Sequence, residues 1–514
     1  MLPRSSGILL HPTSLFTKYG IGDIGPIAFE FIEFLKNTKQ SFWQMLPLGP
    51  TGYADSPYQG LSAFAGNPLL ISIDKLIKMD LIEENIALKI FEEGNQLYKK
   101  WTKKMKIDYE RVRKCKYKVF QECFKNFNQS ESKYAEFHEK FKAFCDKQAY
   151  WLDDYVLFYT LKIDHDLKPW TEWKENYFKR GENAIKVYAA MHKKKLKYYK
   201  FIQWLFDEQW KELRKFAHKN GVKIIGDMPI FVAHDSSDVW CNKELFTLKE
   251  DGSLKYQAGV PPDYFSKTGQ LWGNPLYNWD KLKEDNYIWF IHRIKRLLEL
   301  VDYIRIDHFR GFEAYWRVKG DAENAIKGKW VEAPGKQLFI EIKNVLGELP
   351  IIAENLGVIT PKVEQLRKKF GFPGMAVLQF AFSSDYNNPH LPHNYERKTI
   401  VYPGTHDNNT IKGFWNNDAT KEEKRRLLLY LNLKKNNIGE GMIQELYKSV
   451  ANCVIVQFQD ILGQNEQFRM NTPSESQGNW QYIIDIEKVP QIKKEWLDQM
   501  TVLYGRYVNT KNNK

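Results

Sequence analysis

The sequence predicts a (β/α)8 barrel carrying large, mainly helical insertions and no separate C-terminal β-domain. Three observations lead there. Eight short apolar runs are spread along the chain, most of them separated by segments with helical spacing, which is the count a (β/α)8 barrel requires. The runs are continuously apolar rather than alternating, as expected for parallel strands covered on both faces. Acidic residues recur just after several runs, at the strand ends where such barrels place their chemistry. A doubly wound open sheet is the alternative, and it needs a phosphate loop that this chain lacks.

The first run, Gly7 to Leu10, precedes the loop H-P-T-S-L. Gly20, Gly22 and Gly25 then fit G-x-G-x-x-G. A dinucleotide site would need a strand immediately before and an acidic residue about 20 positions later; neither is present, so the stretch reads as a tight loop before a helix starting near Pro26. Ser41 to Leu48 is the second strand, leading into G-P-T-G-Y-A-D-S-P-Y-Q-G with Tyr58 at its tip. Tyr58 could stack on a ligand or simply pack the turn. Residues 67–203 are charged, aromatic and helical in period, which predicts a mainly helical insertion within one catalytic barrel spanning 1–514.

The barrel rhythm then resumes. Val222 to Gly226 ends at Asp227, and residues 250–280 form a long loop region. Val301 to Ile306 ends at Asp307, Leu349 to Ala353 at Glu354, and Ala376 to Phe380 runs on to Asp385. Thr399 to Tyr402 leads to P-G-T-H-D-N with His406 and Asp407, and Val454 to Phe458 is the eighth run.

In V-D-Y-I-R-I-D-H-F-R-G-F, Tyr303, Arg305 and Asp307 alternate with Ile304 and Ile306, so a strand puts them on one face. A cation two residues from a carboxylate lowers its pKa and keeps it ionised, as nucleophilic catalysis needs. A buried strand-end ion pair explains the same pattern. Glu354 follows I-I-A with no neighbouring cation in sequence, so burial would raise its pKa and suit it to proton donation. Paired carboxylates of this kind are what glycoside chemistry requires.

Composition excludes several classes. Lys and Arg number 76 against 63 Asp and Glu, a net charge of +13. Much of the excess lies in runs such as 99–118 and 193–200, which we read as solvated helix faces rather than a nucleic-acid surface. Five scattered cysteines, without C-x-x-C or a Cys/His cluster, indicate neither a disulfide framework nor a zinc site. No apolar window approaches membrane-spanning length, and the apolar run in M-L-P-R-S-S-G-I-L-L-H-P is too short to be expected of a signal peptide. The expectation is a cytoplasmic protein without metal, cofactor, nucleic-acid or membrane partner.

D-S-P-Y-Q-G, G-D-M-P-I-F-V, G-V-P-P-D-Y-F-S-K-T-G-Q-L-W-G-N-P, R-I-D-H-F-R-G-F, A-E-N-L-G, G-T-H-D-N and R-M-N-T-P together resemble the 4-α-glucanotransferases, the amylomaltase or disproportionating-enzyme family (glycoside hydrolase family 77). The resemblance runs from about Ser6 to Trp480, with the motifs in family order. It implies a retaining transfer of α-1,4-glucan segments from maltooligosaccharides, starch or glycogen, by a monomer or homodimer. On this resemblance Asp307 is the nucleophile, Glu354 the general acid/base and Asp407 the transition-state stabiliser. Tyr58, Asp227, Arg305 and His406 contact sugar, and Asp385 is carried with them as a substrate contact. Gln270 and Trp272 lie in a loop that closes over glucan, with Tyr264 and Phe265. Near Gly478 the chain departs from the family's usual aromatic-Arg pair. An amylase-like hydrolase and a non-catalytic glucan- or polyanion-binding protein are the competing readings.

Overall fold

The computed structural model describes residues 2–262, 266–473 and 475–508. In chain order its strands are β1 (Ser5–Leu9), β2 (Phe42–Gln44), β3 (Lys223–Pro229), β4 (Tyr256–Val260), β5 (Gln270–Pro275), β6 (Tyr303–Asp307), β7 (Ala314–Lys319), β8 (Gly328–Glu332), β9 (Ile351–Ala353), β10 (Gly374–Val377), β11 (Thr399–Tyr402) and β12 (Cys453–Gln457).

Eight of these form one sheet in the order β10-β11-β12-β1-β2-β3-β6-β9, with every pairing parallel. Its two ends approach each other where the Ala353 amide donates to Pro373 O at 2.9 Å. This is the predicted barrel, and each of the eight apolar runs supplies one strand. Boundaries shift where local chemistry intervenes. β10 ends at Val377 because Leu378–Phe380 turns into a 3-10 helix. β2 lasts only three residues before the chain passes through Pro47. The strand side chains Ile8, Trp43, Ile224, Ile225, Ile304, Ile306, Ile352, Val401 and Val454 are fully buried, which explains their unbroken apolar character.

Between β2 and β3 lie the long helices Tyr109–Gln129, Ala135–Asp164 and Lys193–Lys219 with shorter ones between them, the last running past Gln203 to the foot of β3. A feature absent from the sequence reading is a second sheet, antiparallel, in the order β5-β4-β7-β8. It takes up much of the 250–280 region and stands on either side of β6 in sequence. The glycines of G-x-G-x-x-G are packing devices. A side chain on Gly22 would fall 2.0 Å from Pro12 O and one on Gly25 2.0 Å from Ser72 Oγ, so only bare backbone fits. No helix of the described residues is long and apolar enough to cross a membrane. The last helix is Gln491–Leu503.

Candidate active site

The β3/β6 register sets Asp227 opposite Arg305 and Pro229 opposite Asp307. Period-two alternation then turns all three ionisable side chains to the same side of the sheet. Arg305 is 3% exposed. Its Nη1 donates to both oxygens of Asp227, at 2.8 and 2.6 Å, and its Nη2 to Asp307 Oδ1 at 2.9 Å. One planar guanidinium therefore holds two carboxylates in fixed directions. Burial works against its charge, but Asp227 and Asp307 more than offset this and keep Arg305 protonated. Tyr58 closes the chain of contacts by donating its hydroxyl to Asp227 Oδ2 at 2.7 Å. Burial first, then Asp227, hold that phenol well above its ordinary pKa, so it remains a donor.

Beyond Asp307 the chain turns through His308, a non-glycine residue in the left-handed region at φ 54°. That turn aims the His308 amide at Glu354 Oε2 (2.7 Å), while the Leu356 amide donates to Oε1 (2.7 Å). Glu354 leaves β9 beside β6 with both oxygens anchored. Burial, with the charge of Asp307 next, raises its pKa from 4.5 to about 7, and Arg305 and the two amides only partly oppose this. The upward shift expected of a buried Glu354 after I-I-A is therefore present.

Asp307 corrects the sequence reading on one point. Arg305 was expected to bring its pKa down, yet the net shift is upward. Burial lifts it, Arg305 pulls it back, and Asp227 and Asp407 push it up again. The sequence could not show that Arg305 is shared with Asp227. Asp307 has the guanidinium in direct contact, whereas Glu354 is held by two amides, so ionisation is favoured at Asp307 over Glu354.

The loop after β11 brings a third carboxylate. Asp407 has 43% of its side chain exposed, and its Oδ1 accepts from Asn471 Nδ2 at 2.6 Å. His406 Nε2 lies 3.3 Å from the same oxygen. The His406 ring stacks on Tyr58, with centroids 5.0 Å apart and planes at 11°, and Trp480 leans on both. Trp272 of β5 meets His308 edge to face at 4.8 Å and donates its indole N–H to Gln270 Oε1 at 3.3 Å.

The structure thus connects Tyr58, Asp227, Arg305, Asp307, Glu354, His406 and Asp407, and reaches Gln270 and Trp272 through His308. It does not join Asp385 to them. That side chain is exposed and accepts from the Asn387 amide in its own turn, because the 3-10 helix after β10 ends the strand early. Tyr264 and Phe265 lie outside the described residues. His308, Asn471, Arg469 and Trp480 were not assigned to the site from sequence. Arg469 donates to the Asp407 carbonyl at 2.5 Å, so R-M-N-T-P, read only as a motif, is the prop under the Asp407 loop. Among the described residues no group of His, Cys, Asp and Glu has the arrangement of a metal centre.

Residues 10–487 match the family described as 4-alpha-glucanotransferase. The 4-alpha-glucanotransferase of Thermus thermophilus is 45% identical over 487 residues, 93% of this chain and 94% of its own length. That of Clostridium butyricum is 42% identical over 499 residues, 97% of this chain and all of its own. The amylomaltase of Streptococcus agalactiae, solved in complex with acarbose, superposes with a TM-score of 0.92 at 39% identity, over 98% of this chain and 100% of that one. The Corynebacterium glutamicum amylomaltase, at 18% identity and a TM-score of 0.78 over 98% and 75% of the two chains, shares the fold. Full-length identity at this level, on a barrel of this form, makes the chain an enzyme of the 4-alpha-glucanotransferase family, glycoside hydrolase family 77.

Proposed function

We propose that this chain transfers a segment of an α-1,4-glucan to the 4-hydroxyl of an acceptor glucan or glucose, by double displacement through a covalent glycosyl-enzyme. The observation that carries the reading is the unequal carboxyl pair. Asp307 touches Arg305, whereas Glu354 is anchored by two amides and shifted up to about 7. Pairs whose environments drive their pKa values apart divide acid and base duties.

In the first step Glu354 gives its proton to the glycosidic oxygen as the bond from that oxygen to the anomeric carbon breaks. An Asp307 oxygen forms the new bond to that carbon, and the leaving chain departs with a free 4-hydroxyl. In the second step Glu354, now a carboxylate, takes the proton of an acceptor 4-hydroxyl, whose oxygen displaces Asp307 and restores the α configuration. Asp407, His406 and the Tyr58–Asp227–Arg305 chain bind ring hydroxyls, and strengthening of those bonds as the ring flattens lowers the barrier selectively. Trp272 and the hairpin of β4 and β5 exclude water, so that a sugar and not water takes the second step.

Incubation with maltotriose tests the reading. The expected products are glucose and a ladder of longer maltooligosaccharides; only shorter sugars would make the protein a hydrolase. Asp307→Asn is expected to remove turnover with the fold intact by circular dichroism, and retained activity would sink the nucleophile assignment.

A further inference from the structure

A cavity of about 480 Å3 lies outside this site and shares none of its residues. It is walled by Phe178, the short helix Lys243–Leu245, the turn 249–252 and the start of the helix Trp279–Glu284. Its size falls within the roughly 300–1,000 Å3 of small-molecule sites. The wall is built rather than accidental. Gly252, at φ +76°, brings the turn so close to Trp170 and Phe178 that a side chain there would sit 2.6 to 2.8 Å from their rings. Those rings stack on one another at 5.5 Å and 15°.

Lys243 is half-buried at the cavity wall, its Nζ 5.4 Å from the Trp170 ring centroid and 5.5 Å from that of Phe178. Among the described residues no carboxylate lies within ion-pair distance of it and no hydrogen-bond acceptor is recorded for it. The other deep-lying cations differ. Lys162 pairs with Asp235 at 2.6 Å, and the fully buried Lys116 donates to the carbonyls of Leu69 and Ile71 at 2.7 Å. Lys179 and Lys281 on the rim pair with Glu175 and Glu284, both at 2.6 Å, while Lys249 is exposed on the turn beside Asp251. Two carboxylates, Glu244 and Glu250, complete the rim.

We propose that this cavity binds the phosphate monoester of a sugar, with Lys243 and Lys249 pairing the phosphate and Glu244 and Glu250 accepting sugar hydroxyls. A half-buried ammonium over aromatic faces keeps its charge at a desolvation cost that an anionic ligand offsets. Burial lowers the Lys243 pKa and the nearby Arg180 adds to this, against the opposing influence of Cys241 and Glu244. The two glutamates decide the ligand class. They repel a polyphosphate, whose added charges would face them, and they suit a polyol carrying one phosphate. The cavity borders the turn that leads into β4, so an occupant would brace the base of the hairpin carrying Gln270 and Trp272.

Titration calorimetry of the whole protein with glucose 6-phosphate, glucose, inorganic phosphate and ATP tests this. One saturable site for glucose 6-phosphate, tighter than for the other three, is expected. Lys243→Met should weaken it about tenfold, the loss of one charge-assisted contact, with maltotriose transfer unchanged. Lys249→Glu, on an exposed turn where the fold is not at stake, should weaken it as well. A phosphorylated maltodextrin compared with its dephosphorylated form separates a glucan-borne ester from a free hexose phosphate. Glucose binding as tightly as its phosphate, ATP binding more tightly, or affinity unmoved in both variants would overturn the proposal.

Discussion

Arg305 spends its guanidinium on two carboxylates, and each residue around it inherits a consequence. Asp227 is fixed as the acceptor of the Tyr58 hydroxyl. Asp307 is aimed and partly neutralised, and Glu354, anchored by two amides, has its pKa raised. The pH profile follows. On the proposed mechanism Glu354 is protonated for the first step and burial shifts its pKa up to about 7, so kcat/KM should fall as pH rises through about 7. The same mechanism has Asp307 ionised, and its pKa is raised, so the acid limb should lie above the usual aspartate range. Arg305→Gln removes the larger of the two charges that lower the Asp307 pKa, His406 being the other. The acid limb should then move to higher pH, and kcat should fall by about 10²- to 10³-fold, the scale for losing one positioned charged donor. A kcat/KM series against pH on maltotriose reads both effects.

At the scale of elements, the site depends on how segments end. The helix turn that follows the Asp407 loop begins at Ile411, whose amide donates to Asp460 Oδ1 at 2.6 Å, while Asp460 Oδ2 is buried without a partner. Burial raises Asp460 from 3.8 to about 7. A carboxyl whose folded pKa exceeds its unfolded one binds its proton more tightly in the native state. Its stabilisation is therefore complete below the unfolded value and is lost as pH rises through about 7. The stability of wild type relative to Asp460→Asn, an isostere of the neutral acid, should accordingly fall in urea between about pH 4 and about pH 7. At the opposite pole, Arg506 is fully buried and donates to the carbonyls of Leu446, Tyr447, Ser449 and Ala451 at 2.8 to 3.1 Å, with Ser5 at 3.3 Å. It ends the helix Ile438–Lys448 and ties the last described residues to β1. Arg506→Ala should cost about 3 kcal/mol in urea unfolding, since several buried carbonyls lose a charged donor at once.

At the scale of the molecule, the barrel supplies the strand exits, and the smaller antiparallel sheet brings Trp272 against His308. Trp272 on β5 reaches His308, which lies between Asp307 and the amide contact to Glu354. Removing that ring opens the site where water must be kept out, so Trp272→Ala should raise the ratio of free reducing ends to transfer products from maltotriose several-fold, with the fold preserved.

The barrel was legible because its strands are buried on both faces, and such burial writes itself into the chain as unbroken apolar runs. The second sheet was not. Y-Q-A-G-V, A-Y-W-R-V-K and G-K-W-V-E mix polar and apolar residues on a half-exposed layer, and their pairing partners lie far apart in sequence. By itself the sequence determined the eight strands and the acidic residues at the exits of four of them, since both follow from local composition. Only the tertiary structure decided which exits meet, that Asp227 shares Arg305 with Asp307, that Asp385 stands in its own exposed turn, and that both Asp307 and Glu354 are shifted upward. Those outcomes depend on strand register and on charges packed through space, and a carboxyl's pKa responds to whatever surrounds it, however distant along the chain.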